Sequence, residues 1–190
     1  MIFQKNELFT EISGCNSLSE IYSEKIKLDD EAIVLIYGDE LIEDSAETAS
    51  QLAKADFITV FASEDITRFS YRLLSQFDVR ISGKEYPADL AEADERYKLL
   101  CGASAYELLR SGKTENAPNF VTVLTDEGNF SQQAQAYVSR VCGDKTRAQI
   151  KVLAGCLKAA VKGGTDAVFK AESEGFYALM AQRTEDKADE

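Results

Sequence analysis

The chain has 190 residues, with 33 Asp and Glu against 21 Lys and Arg for a formal net charge of −12, and 45% of it is hydrophobic. That is one compact domain's length of chain with ample material for a core, which excludes general disorder, and so anionic a surface excludes nucleic-acid binding without a concentrated basic patch. No histidine is present, so a histidine base, Ser–His and Cys–His nucleophile pairs and imidazole metal ligands are excluded too.

Residues 1 to 30 mix polar and apolar positions without a sustained period and are assigned to an irregular or short-stranded entry segment. No apolar run approaches the ~18 residues that span a bilayer, and Met1 to Glu7 lacks a secretory pattern. With Cys15, Cys101, Cys142 and Cys156 far apart and in no C-x-x-C arrangement, the expectation is a reduced, cytoplasmic protein away from membranes.

Ile33-Val34-Leu35-Ile36-Tyr37, stopped by Gly38-Asp39, is the pattern of a strand buried on both faces. Asp44 with Glu47 offers a cap for a helix to about Lys54. Phe57 to Phe61 repeats the strand pattern, and Ile66, Phe69, Leu73 and Phe77 predict a helix ending against Asp78, followed by a strand at Val79–Ile81. Strand, helix, strand, helix, strand predicts an α/β fold with parallel strands and right-handed crossovers.

From Ala88 the texture is helical, interrupted by a strand at Phe120–Leu124. Ala134, Tyr137, Val138 and Val141 mark a helix closed by Gly143, and Thr146-x-x-Gln149 is a capping box for another. That helix carries Ile150, Leu153, Ala154, Leu157 and Val161 on one face and is expected to stop at Gly163-Gly164, before a last helix from about Asp166 to Arg183. The predicted division is an α/β core over residues 1–125 and a C-terminal helical region over 126–190. Four helices in the last third carry more apolar positions than one small sheet needs, which predicts a homo-oligomer.

Three local patterns invite chemical readings. Gly38-Asp39-Glu40 after a buried strand is similar to the Mg²⁺ pocket of receiver domains, although a polar loop after a strand is the commoner meaning and no Lys follows Phe120–Leu124. Ser63-Glu64-Asp65 opens the helix near Ile66, either as an anion-favouring end or as a simple N-cap. Glu85, Glu92, Asp94 and Glu95 form the densest carboxylate cluster, usable for acid–base work if buried and otherwise a solvated loop and helix start. No metal site is expected.

From about residue 57 to the end, order and spacing resemble the enoyl-CoA hydratase/isomerase family of the crotonase superfamily. An apolar strand at Phe57–Ala62 is followed by the helix from Ile66 and by Phe77-Asp78-Val79-Arg80-Ile81-Ser82, in the place of the family's helix-end Asp and D-I-R-I-A strand. The most specific stretch is Arg96-Tyr97-Lys98-Leu99-Leu100-Cys101-Gly102 leading into Ala105-Tyr106-Glu107-Leu108-Leu109-Arg110-Ser111-Gly112-Lys113, similar to R-L-x-x-x-x-G and A-x-E-L-L-L-T-G-R. Val121 to Glu127 and the close, Glu172-Ser173-Glu174-Gly175-Phe176-Tyr177-Ala178-Leu179, also resemble family elements.

The resemblance implies a crotonase-like, ClpP/crotonase-type sheet core that trimerises through its C-terminal helices. It implies an acyl-CoA or related thioester as ligand, with no separate cofactor. The thioester carbonyl would be polarised by backbone N–H groups at Leu41 and Phe69, with Glu92 as acid–base. The departures fall on the chemistry: Arg68, Phe69 and Ser70 stand where the family has a glycine-rich turn, Arg72 stands at one catalytic Glu position, and Gly102 follows Asp78 by only 24 positions. They support an alternative, a catalytically degenerate crotonase-fold subunit that serves as partner or scaffold for another enzyme. A third reading is an α/β signalling or ligand-binding module unrelated to CoA.

Overall fold

The computed structural model describes residues 1–24, 28, 30–42, 46–69, 71–74, 76–84, 121–124 and 128–186. The carboxylate cluster with Glu92, the Arg96–Lys113 stretch, Asp44 and Cys101 lie outside them. Within them the fold is α/β, with a sheet of six strands in sequential order. They are β1 (Ile2–Lys5), β2 (Thr10–Ser13), β3 (Ile33–Tyr37), β4 (Ile58–Ser63), β5 (Val79–Ser82) and β6 (Thr122–Val123). β1 pairs antiparallel with β2, and every later pairing is parallel.

Parallel strands need crossovers, and these supply α1 (Leu18–Ser23), α2 (Ala46–Ala53) and the short α3 (Tyr71–Leu74). Side chains alternate across a strand, so β3 feeds two cores. Val34 and Ile36 join Ile12, Leu18, Ile21, Leu52, Phe61 and Leu73 on one face. Ile33, Leu35 and Tyr37 meet Val60, Ile81 and the helices α4 (Phe130–Cys142) and α5 (Arg147–Asp186) on the other. Burial on both faces explains why β3 reads as a continuous apolar run.

The entry segment is more regular than its sequence suggests. Thr10 to Ile12 are buried and pair with β3, while Ile2 to Lys5 form an edge strand with little burial. Each run is four residues long, too short to establish a period.

The helix expected from Ile66 to Phe77 is not formed as one element. Ile66–Arg68 is a 3-10 turn, Phe69 is extended, and Tyr71–Leu74 is a separate helix of four residues. The cause is Phe69, whose ring meets Phe61 edge-on with centroids 5.0 Å apart while Phe77 stacks on Phe61 at 4.7 Å. Aromatic packing outweighs helical continuity here. The apolar positions still face inward, with Phe69, Leu73 and Phe77 all buried.

α4 closes at Gly143, at φ 58°, whose N–H donates to the Arg140 and Ser139 carbonyls. The capping box is reciprocal: Thr146 N–H donates to Gln149 Oε1 at 2.9 Å, and Gln149 N–H to Thr146 Oγ1 at 3.3 Å. α5 is helical for 40 residues without an intervening loop, so the two helices expected on either side of Gly163-Gly164 form one element.

That element is not a straight rod. A Cβ at Gly175 would stand 2.3 Å from Val152 Cγ1, whereas 23 residues of straight helix span roughly 34 Å. The element therefore doubles back between Val152 and Gly175. The half-buried positions Gln149, Val152, Cys156 and Ala159 on the first limb, and Val168, Ala171, Gly175 and Leu179 on the second, recur at helical spacing, as expected of limbs that pack on each other.

The face of the first limb turned to the sheet carries Ile150, Ala154 and Lys158, all buried. Leu153 and Leu157, expected on that buried face, are 47% and 60% exposed and line a groove with Val141 of α4. No helix among the described residues is long and apolar enough to cross a membrane.

Candidate functional site

In a parallel sheet the carboxyl ends of the strands are the usual place for ligands, because loops and helix ends converge there. Here those ends carry Tyr37-Gly38-Asp39-Glu40-Leu41 after β3 and Ser63-Glu64-Asp65 after β4. Gly38 is required by its neighbour: a Cβ there would lie 2.3 Å from Phe61 Cζ, inside the ring's van der Waals shell. The chain can leave β3 over Phe61 only at a glycine.

The loop after β3 is tied to the loop after β4. Asp39 Oδ1 accepts from Ser63 Oγ at 2.7 Å and from the Glu64 N–H at 2.9 Å. Arg68 reaches back across the gap, its guanidinium donating to the carbonyls of Asp39 at 3.0 Å and Leu41 at 3.4 Å. Asp65 caps the 3-10 turn through the Thr67 N–H and hydroxyl and receives Lys84 Nζ at 2.8 Å. The Lys84 hydrogen bond, seconded by Thr67, holds its carboxyl below the usual carboxylate range. Ser63-Glu64-Asp65 is therefore a capped turn.

The two expected oxyanion donors are both engaged internally. The Leu41 N–H donates to the Gly38 carbonyl at 3.0 Å, and the Phe69 N–H to the Ile66 carbonyl at 3.1 Å. Their side chains are buried, at 3% and 7% exposure. Arg72 lies in α3, and Glu92 is outside the described residues.

Beside these loops, on the α4 side, is a cavity of about 340 Å³ lined by Glu11, Tyr37, Asp39, Glu40, Glu64 and Asn129 among others. Its innermost carboxylate, Glu11, is 7% exposed. Glu11 Oε2 accepts from Gln135 Nε2 at 2.6 Å, and the Tyr37 hydroxyl stands 3.1 Å from that oxygen and 3.2 Å from the Ser131 carbonyl. Burial pushes the Tyr37 phenol up to about 12, with the Glu11 charge adding to the effect. The lining presents acceptors far more than donors, a poor complement to a developing oxyanion. Among the described residues no three His, Cys, Asp or Glu side chains converge to hold a metal ion.

Several of these roles had no signature in the sequence. Glu11 sits in a strand too short to reveal its inward face, and its partners Tyr37 and Gln135 are 26 and 124 residues away. Asp78, expected only as a helix-end marker, joins the sheet to α5. Its Oδ2 accepts from Thr59 N–H and Thr59 Oγ1 at 2.7 Å each and from Lys158 Nζ at 2.6 Å. An aspartate ending one apolar stripe and a lysine within another were the available hints.

No protein-family model, no curated protein and no solved structure matches the chain.

Proposed function

We propose that the chain is a catalytically degenerate, crotonase-like subunit that acts by association, as a partner or scaffold for another enzyme and within a homo-oligomer, a trimer, built on the helices after Gln132. The observation that carries this reading is the closure of both N–H groups at Leu41 and Phe69 onto their own turns. A thioester carbonyl gains from a donor only when that donor is free and aimed at it. The Arg68 strap over Asp39 and Leu41, and the acidic lining of the adjacent cavity, support the same conclusion. For association the second limb of α5 offers Phe169, Phe176, Tyr177 and Met180, all exposed and recurring along one side of the helix.

The active form of the resemblance, an acyl-CoA hydratase or isomerase with Glu92 as acid–base, requires those two N–H groups to turn outward. Crotonyl-CoA separates the readings. Purified protein is expected to show no hydration at enzyme-like rates of ~1–10³ per second and to scatter light as an oligomer of the 21.0 kDa chain. Turnover in that range, abolished by Glu92→Gln, overturns the degenerate reading. A monomer at micromolar concentration overturns the assembly.

A further inference from the structure

We propose that a groove at the amino edge of the sheet, on the face covered by α4 and α5, binds an amphipathic carboxylate with an alkyl tail of about eight carbons. It lies at the opposite end of the strands from the loops and polar cavity described above, and it does not depend on the function proposed there. Ile58 and Val79, at the starts of β4 and β5, form part of its floor. Val141 of α4 and Leu153 and Leu157 of α5 form its walls, where the two helices diverge from the Gly143–Thr146 connection.

The groove volume is about 230 Å³. A closed apolar cavity of about 150 Å³ accepts the six carbons of benzene, so by volume this open groove has room for roughly nine carbon-sized atoms. An alkyl chain suits it better than a ring, because the groove is open along its length: Val141, Leu153 and Leu157 remain 63%, 47% and 60% exposed. Covering these side chains removes apolar surface from water, which favours binding whatever the headgroup.

Charge selects the headgroup. Lys145 is the one charged residue in the described lining, and among the described residues its Nζ makes one long hydrogen bond, 3.4 Å to the Cys142 carbonyl, that leaves ammonium protons for a carboxylate. Of the neighbouring cations, Arg147 pairs with the buried Glu31 and Lys151 with Asp30, while Arg140 lies over the Tyr137 ring at 5.6 Å from its centroid. Tyr137, the other polar group in the lining, shares its hydroxyl with Thr122 Oγ1 at 3.2 Å. The groove thus presents hydrocarbon along its length and the Lys145 ammonium in its lining, with Arg140 close by, within a chain of net charge −12.

The test is calorimetric titration of the full chain with octanoate, with octan-1-ol as neutral control. Saturable 1:1 binding of octanoate at about 1 mM or tighter is expected. Octan-1-ol should bind three- to fivefold more weakly, and Lys145→Gln should remove that preference, about the worth of one exposed ion pair. Leu153→Glu with Leu157→Glu changes two exposed positions, so the fold is retained by circular dichroism, and octanoate binding falls at least tenfold. No saturable binding to the parent chain overturns the proposal, as does binding undiminished in the double variant. A third overturning result is an oligomer that the double variant dissociates while the parent ignores octanoate, since the groove would then seat a second copy of this chain.

Discussion

Gly175→Ala distinguishes a doubled-back α5 from a straight one by the sign of its effect. In an exposed, straight helix the change is stabilising by about 1 kcal/mol, because alanine loses less backbone freedom on folding than glycine. In this structure the new Cβ would stand 2.3 Å from Val152 Cγ1, 3.1 Å from Cγ2 and 3.2 Å from Cβ. Valine is β-branched and stiff about χ1, so no rotamer clears all three contacts and the limbs must part. Overpacking of this kind costs about 1–3 kcal/mol, leaving a net destabilisation of about 0–2 kcal/mol after the helical gain. For a chain this long each kcal/mol moves the melting temperature by about 2–4 °C.

The assay is urea unfolding of four proteins: parent, Gly175→Ala, Val152→Ala and both together. Val152→Ala alone costs about 1 kcal/mol, since the side chain is half-buried. In its presence Gly175→Ala should become stabilising, a favourable coupling of at least 1 kcal/mol between residues 23 positions apart. If Gly175→Ala raises stability by about 1 kcal/mol in both backgrounds, the limbs do not touch and the doubling back of α5 is refuted.

Two further predictions concern buried polar groups. Asp78→Ala should cost about 2–3 kcal/mol, because the Thr59 N–H, the Thr59 hydroxyl and Lys158 Nζ all lose their shared acceptor, while Lys158→Met should cost about 1 kcal/mol, because Asp78 keeps both Thr59 donors. Equal losses by urea unfolding would show that the Thr59 bonds to Asp78 add nothing to stability. The Tyr37 phenol, raised from 10.0 to about 12, favours the protonated folded form, so its contribution is complete below pH 10 and is lost as pH climbs from 10 to 12, by about 2–3 kcal/mol. Tyr37→Phe should flatten that part of the alkaline stability profile, and an unchanged slope would place the phenol in water.

β3 and β4 were legible because a strand buried on both faces must be apolar at every position, a signal independent of what packs on it. The Gly143 stop and the Thr146–Gln149 box were legible for the same reason: a cap is satisfied within four residues. The Ile66–Phe77 pattern identified which residues go inward and misidentified the backbone, because its spacing cannot show that Phe69 leaves the helix to meet Phe61. Gly163-Gly164 was expected to stop a helix that instead runs on, and that the element doubles back at all is shown only by Val152 meeting Gly175.

The candidate site was less legible. The residues nominated as oxyanion donors could be counted to, but whether an N–H is free depends on the turn that follows it, and at Leu41 and Phe69 the turns close. Glu11 with Tyr37 and Gln135, and Asp78 with Lys158, join residues between 26 and 124 positions apart. By itself the sequence determined the fold class, the faces of the central strands, the capped ends and the absence of imidazole chemistry, all consequences of composition or of neighbours along the chain. Only the tertiary structure decided which donors were already used, which carboxylates were buried and where apolar surface stayed open, because each depends on groups that the chain brings together only after the sheet has formed and its crossovers have chosen a face.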